Sequence, residues 1–179
     1  MPHPRTRRNS ASLILAAALL LAPGIVAAPG GNGRVPSFLE LLAVMQAAEA
    51  NHVSAFRILL IGYTESKLEL PRRDPGPAGE RGLFQVTERT AAPKSKGGVG
   101  CLPGWDKRSR VIEFPAADCA AKVLADAKPE CQRDIRKAVY AYNMGNCENY
   151  TENTHVQRAL WWVDQMWIQG INEVRITRR

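Results

Sequence analysis

The sequence predicts a mainly α-helical single domain closed by two disulfides. Three observations support this. Apolar residues recur at helical spacing through most of the chain after residue 36. No alternating run is long enough for a strand of more than a few residues. Four cysteines, Cys101, Cys119, Cys131 and Cys147, form an even set in a chain that starts like an exported one. A length of 179 residues suits one domain with a leader.

The elements follow in order. Residues 1–28 read as a secretory signal peptide: Arg5, Arg7 and Arg8 precede the apolar "SLILAAALLLAPGIVAA", which ends in small residues near a cleavage point at Ala27 or Ala28. The stretch is short for a membrane span, and Pro23 and Gly24 interrupt it; an uncleaved anchor is the alternative. No further span follows. Residues 29–36, "PGGNGRVP", form a flexible joint, and residues 37–179 form the domain. Ser37 is placed to cap a first helix, "SFLELLAVMQAAEA".

A second helix, "HVSAFRILLIGYTESKL", carries Val53, Phe56, Leu60 and Tyr63 on one face and Glu65 in its last turn. A carboxylate there meets the negative end of the helix dipole and apolar surroundings. Both disfavour the charged form. "ELPRRDPGPAGERG", with three prolines and three glycines, is irregular, and "LFQVTERTA" returns to a short helix. Residues 92–113 form a long loop that Cys101 can tie down. Three more helices follow: "PAADCAAKVLADA", then "PECQRDIRKAVYAYNMG" with Pro129 at its start and Gly145 at its end, then the Trp-rich "THVQRALWWVDQMWIQGINEV".

Helix geometry predicts the cysteine pairing. Cys131 and Cys147 flank one uninterrupted helix, roughly 20 Å apart at 1.5 Å per residue, well beyond the reach of a disulfide. Cys119 starts one arm of a helical hairpin and Cys147 follows the other. The expected pairs are therefore Cys119–Cys147 and Cys101–Cys131.

The charge narrows the function. The chain has a formal net charge of +7, of which three arginines lie in the leader, leaving a mildly basic domain suited to an anionic polymer such as cell wall. No basic run with interleaved aromatics points to nucleic acid. No CxxC pair or Cys/His cluster suggests a metal. His3, His52 and His155 stand alone in the sequence, and a surface or core role is expected for the last two.

Three short pieces, "TES" at 64–66, "PAGERGLFQ" at 77–85 and "AYNMG" at 141–145, stand in an order and spacing that resemble the catalytic domain of soluble lytic transglycosylases, a lysozyme-like fold. That family shows Glu-Ser at a helix end, Gly-Leu-Met-Gln after a Pro/Gly loop, and Ala-Tyr-Asn-Ala-Gly. The resemblance covers about residues 53–147. Here Phe84 replaces the Met before the Gln, Thr87 replaces a Met after it, Gly76 replaces a Ser, and two extra residues separate Glu65 from Gly82.

The resemblance implies that Glu65 is the catalytic acid and later base, with Ser66 in support. It implies that Gln85 lines a glycan cleft, that Tyr142 orients the acid or sugar, and that Asn143 braces its turn. Gly82 and Gly145 would let backbone approach the cleft. The implied reaction cuts the MurNAc-β-1,4-GlcNAc bond of peptidoglycan and forms 1,6-anhydro-MurNAc, with no metal or organic cofactor. The short four-cysteine layout looks most like transglycosylases that accompany secretion, pilus or conjugation machines in the periplasm. A lysozyme-type hydrolase on the same scaffold and a non-catalytic wall-binding protein are the alternatives. Trp161, Trp162 and Trp167 have the spacing of core residues more than of sugar platforms.

Overall fold

A computed structural model describes residues 34–69, 75–101 and 110–168. The leader, residues 70–74 of the Pro/Gly loop, residues 102–109 of the long loop, and the end of the Trp-rich segment lie outside the described residues, as does the side chain of Trp167.

Seven α-helices make up the described fold: α1 (Phe38–Asn51), α2 (Ala55–Ser66), α3 (Glu88–Ala91), α4 (Phe114–Asp126), α5 (Pro129–Arg133), α6 (Ile135–Met144) and α7 (Thr154–Ile168). A short 3-10 turn at Lys94–Lys96 follows α3, and the only β pairing among the described residues is an isolated bridge between Arg81 and Val86. No described helix is long and apolar enough to cross a membrane.

The core is built around α2, whose apolar run is buried on nearly every side; a helix that is hydrophobic all round belongs in an interior. It packs against α1, α4 and α7, while α1 and α4 share the most extensive contact. Tyr63 of α2 stacks on Trp162 of α7, with ring centroids 4.7 Å apart. Trp162 is buried as its spacing predicts, and Trp161 beside it is 45% exposed.

Ser37 caps α1 and forms a reciprocal capping box with Glu40. Glu40 does more than cap. Its carboxylate, 2% exposed, accepts hydrogen bonds from Arg34 Nη1 and Nη2 (2.7 and 2.5 Å), Ser37 N (2.8 Å) and Ile112 N (2.7 Å). Burial pushes this carboxyl upward, but the Arg34 guanidinium and the two backbone N–H donors outweigh burial and hold it at about 2. Arg34 also donates to Leu68 O (3.0 Å) and accepts from the Tyr63 hydroxyl (3.1 Å), so the knot clamps the exit of α2.

The disulfides differ from the expected pairs. Cys101 bonds Cys119 and Cys131 bonds Cys147, with Cα–Cα distances of 5.1 and 5.7 Å. Neither Cys119–Cys147 nor Cys101–Cys131 forms. The reason is a break in the segment read as one helix. Asp134 adopts extended dihedrals (φ −112°, ψ 127°), ending α5 and capping α6, where its side chain accepts from Arg136 N (2.8 Å). The chain turns there, and Cys131 reaches Cys147, which lies beyond the Gly145 cap of α6.

Candidate active site

The site forms where α2 ends. Lys67 and Leu68 both adopt left-handed dihedrals (φ 59° and 57°), turning the chain away after one last helical turn that carries Glu65 and Ser66. Gly62 gives this turn room to pack: a Cβ would lie 2.5 Å from Leu68 Cδ2 and 3.1 Å from Phe84 Cε1, so those side chains would have to shift.

Ser66 and Tyr142 anchor the segment 81–86. The Ser66 hydroxyl donates to Leu83 O (2.7 Å) and the Tyr142 hydroxyl donates to Phe84 O (2.9 Å). Arg81 N donates to Val86 O (3.0 Å), closing the segment into a tight turn, with Gly82 at φ +70° and buried Leu83 and Phe84 as its inner side. The anticipated helix over 83–91 is therefore shorter; it starts at Glu88, capped by Thr87. Gln85 is held at φ 48°, a strained setting for a non-glycine residue that costs about 1 kcal/mol or more. Its side chain folds back to donate to Gly82 O (2.7 Å).

These bonds bring α2, the 81–86 turn and α6 together around Glu65. The Glu65 side chain is 13% exposed. Burial raises the Tyr142 phenol well above the usual tyrosine range, and the Glu65 charge pushes the same way, so Tyr142 remains a hydrogen-bond donor.

Asn143, in the last turn of α6, is exposed, and its side chain makes no hydrogen bond among the described residues. Gly145 closes that turn in the left-handed region (φ 82°), where its N–H donates to Ala141 O (2.8 Å). No atom of the described protein lies within 4 Å of where its Cβ would be, and its positive φ is the reason a glycine suits this helix stop. Tyr140 is the core tyrosine of this helix, donating to Asn149 O (3.0 Å).

The residue missed in the sequence is His155. At the start of α7 it places Nε2 3.1 Å from Glu65 Oε1, with its side chain 15% exposed. The ring is not aligned for a hydrogen bond, and this buried nitrogen has no other partner among the described residues. Arg158, one turn on, reaches the same helix end and donates to Thr64 O (3.4 Å). The negative end of α2 is thus met by basic side chains, which the sequence reading did not anticipate. The available signal was their spacing: His155 and Arg158 flank the buried stripe Val156, Ala159, Trp162 and Met166.

An open concavity of about 680 Å³ adjoins the other side of the turn, lined in part by Ala78, Arg81, Thr87, Arg89 and Lys96. Neither Glu65 nor Tyr142 lines it. Among the described residues no group of three or more His, Cys, Asp or Glu side chains is arranged to hold a metal ion.

Comparison with known families bears directly on this arrangement. The family model described as the transglycosylase SLT domain matches residues 43–160. The chain belongs to the transglycosylase SLT domain family. The match runs from α1 into α7 and encloses Glu65, the 81–86 turn, Tyr142, both disulfides and His155. The fold of this SLT domain is lysozyme-like, and its family acts on peptidoglycan. No curated protein and no solved structure matches the chain.

Proposed function

We propose that this SLT domain cleaves the β-1,4 bond between N-acetylmuramic acid and N-acetylglucosamine in peptidoglycan and leaves 1,6-anhydro-MurNAc ends. The observation that carries this reading is the position of Glu65: a poorly exposed carboxyl at a helix end, between Tyr142 and a turn pinned by Ser66. In the reaction, protonated Glu65 gives its proton to the glycosidic oxygen as the bond to the muramyl C1 breaks. The muramyl C6 oxygen then bonds to C1, and the Glu65 carboxylate takes the C6 hydroxyl proton. No water is consumed, and the carboxyl ends the cycle as it began. The sugar's own N-acetyl group stands in for the second carboxylate that glycosidases commonly use.

Tyr142 and Ser66 act through the turn they hold. Gln85 sits on that turn, and exposed Asn143 is free to meet a sugar. Cofactors play no part in this scheme. The basic leader, the even cysteine set and the net positive charge support export to the periplasm and local wall opening beside a secretion, pilus or conjugation apparatus.

Digestion of purified sacculi by the full chain, followed by mass spectrometry of the muropeptides, tests the reading. Anhydro ends, each lighter than a reducing end by one water, are expected. Reducing ends would establish the lysozyme-type hydrolase instead, and sacculus binding without products would establish a wall-binding protein.

A further inference from the structure

The concavity of about 680 Å³ beside the 81–86 turn has no part in the reaction scheme, although its volume suits a short peptide. Its walls combine two kinds of surface. Pro75, Ala78, Ala92 and Pro93 supply apolar area. Arg81, Arg89 and Lys96 supply three cations, against one acid, Glu88. Arg89 and Lys96 are exposed, and neither side chain makes a hydrogen bond or ion pair among the described residues. A ligand can therefore take both cations without breaking a bond within the described protein.

Backbone hydrogen bonds hold both walls. On one, Gly76 N donates to Glu80 O (2.8 Å) and Ala78 N donates to the Glu80 carboxylate (2.8 Å). On the other, Val99 N donates to Thr90 O (2.8 Å), Gly100 N to Ala92 O (2.8 Å) and Cys101 N to Ala91 O (2.9 Å). The Cys101–Cys119 bridge ties that wall to α4. Arg89 and Lys96 thus project from backbone that is already ordered, which lowers the cost of binding.

We propose that this concavity is a subsite for the carboxylate-bearing peptide stem of peptidoglycan. The proposal rests on the reading that the muramyl sugar reacts at Glu65, because the stem hangs from the lactyl group of that sugar. The 81–86 turn links the two places. Leu83 O is held by Ser66, the neighbour of Glu65, and Arg81, two residues earlier, lines the concavity. Two residues span at most about 7 Å and an extended four-residue stem about 14 Å, so one muropeptide reaches both. The alanine methyls of the stem suit the Pro and Ala surfaces. Its carboxylates suit the guanidinium groups, which can take a carboxylate through two parallel hydrogen bonds, and the lysine ammonium. An uncharged glycan gains nothing from these cations, so the site selects strands that carry stems.

The test is an NMR titration of the full chain with a synthetic stem tetrapeptide in two forms, one with free carboxylates and one with all of them amidated. The free acid is expected to shift the amide resonances of Thr87, Arg89, Ala92 and Lys96, and the amidated form to bind about tenfold more weakly. The double substitution Arg89→Gln with Lys96→Gln should weaken the free acid by about tenfold and erase the difference between the two forms. On soluble glycan strands, removing the stems with an amidase should raise KM by about tenfold and leave kcat unchanged, the mark of lost uniform binding. In the double variant, KM should be the same with and without stems.

Absence of shifts at this wall, equal binding of the two peptides, or equally tight binding of polyglutamate, which would show general charge attraction alone, would each overturn the proposal. The peptide titration needs no turnover. A wild type that binds the stem here and releases no product from sacculi would defeat the transglycosylase reading and leave the subsite standing. A wild type that forms anhydro ends and ignores the peptide would do the opposite. Should the double variant fail to fold, the two peptides on the wild type decide.

Discussion

Two carboxylates bracket the end of α2 and are treated in opposite ways. Glu40 takes two guanidinium donors and two backbone N–H donors and is fixed in its charged form. Glu65 has an imidazole nitrogen at 3.1 Å that is not aligned for a hydrogen bond. Both are shielded from water. A carboxylate whose acceptor sites are filled holds structure together and has no proton to give. Glu65 has no such set of donors. The two carboxylates thus differ in hydrogen-bond satisfaction, and not in burial.

Substitution at each carboxylate should break the comparison most sharply. Glu65→Gln should lower turnover on sacculi by about 10²–10⁴-fold. Its unfolding free energy should stay within about 1 kcal/mol of wild type, because no aligned hydrogen bond is lost. Denaturant unfolding beside a turnover assay checks both halves. Glu40→Gln should do the reverse, destabilising by about 3 kcal/mol by leaving Arg34 without its partner. The specific activity of the molecules that remain folded should change little.

Acid sharpens the same contrast. The Glu40 carboxyl is held at about 2 in the folded protein against an ordinary 4.5. Its folded-state value is depressed, so its stabilisation is fully present above the ordinary value and is lost as the pH falls from about 4.5 through about 2. Allowing for solvent screening at the partly exposed Arg34, this amounts to about 2 kcal/mol. Unfolding curves between pH 6 and pH 2 should show that loss in the wild type and much less of it in Glu40→Gln. The smallest effect expected is for Ser66→Ala. It removes the 2.7 Å bond to Leu83 O and should cost about 1 kcal/mol, with a several-fold loss of turnover as the 81–86 turn loosens.

Much of this was legible from local sequence. Ser37 as a cap, the apolar spacing of α2 and Gly145 as a helix stop follow from rules that act over a few residues, and each appears in the structure. The placement of Glu65 and Ser66 in the last turn of α2 was legible for the same reason. The disulfides were not. Their prediction rested on one unbroken helix over 129–145, and a single residue, Asp134, decides otherwise. Asp is a good helix cap, and the signal lay in "QRDIRK", but the stronger periodicity around it concealed the stop. His155 and the Glu40 clamp were hidden for a different reason. Their partners lie 90 residues away at Glu65 and 72 residues away at Ile112, distances over which local pattern carries no information. Asn143 was placed by family position alone, and in the fold its side chain is exposed.

The corrected cysteine connectivity has a consequence for biosynthesis. The two bridges join neighbours along the chain, the first cysteine with the second and the third with the fourth, across 18 and 16 residues. The rings are consecutive and neither threads nor spans the other. An oxidant that couples thiols in the order they emerge would therefore make the native bonds on the first attempt, whereas the interlaced arrangement would need a shuffling enzyme to undo early mistakes.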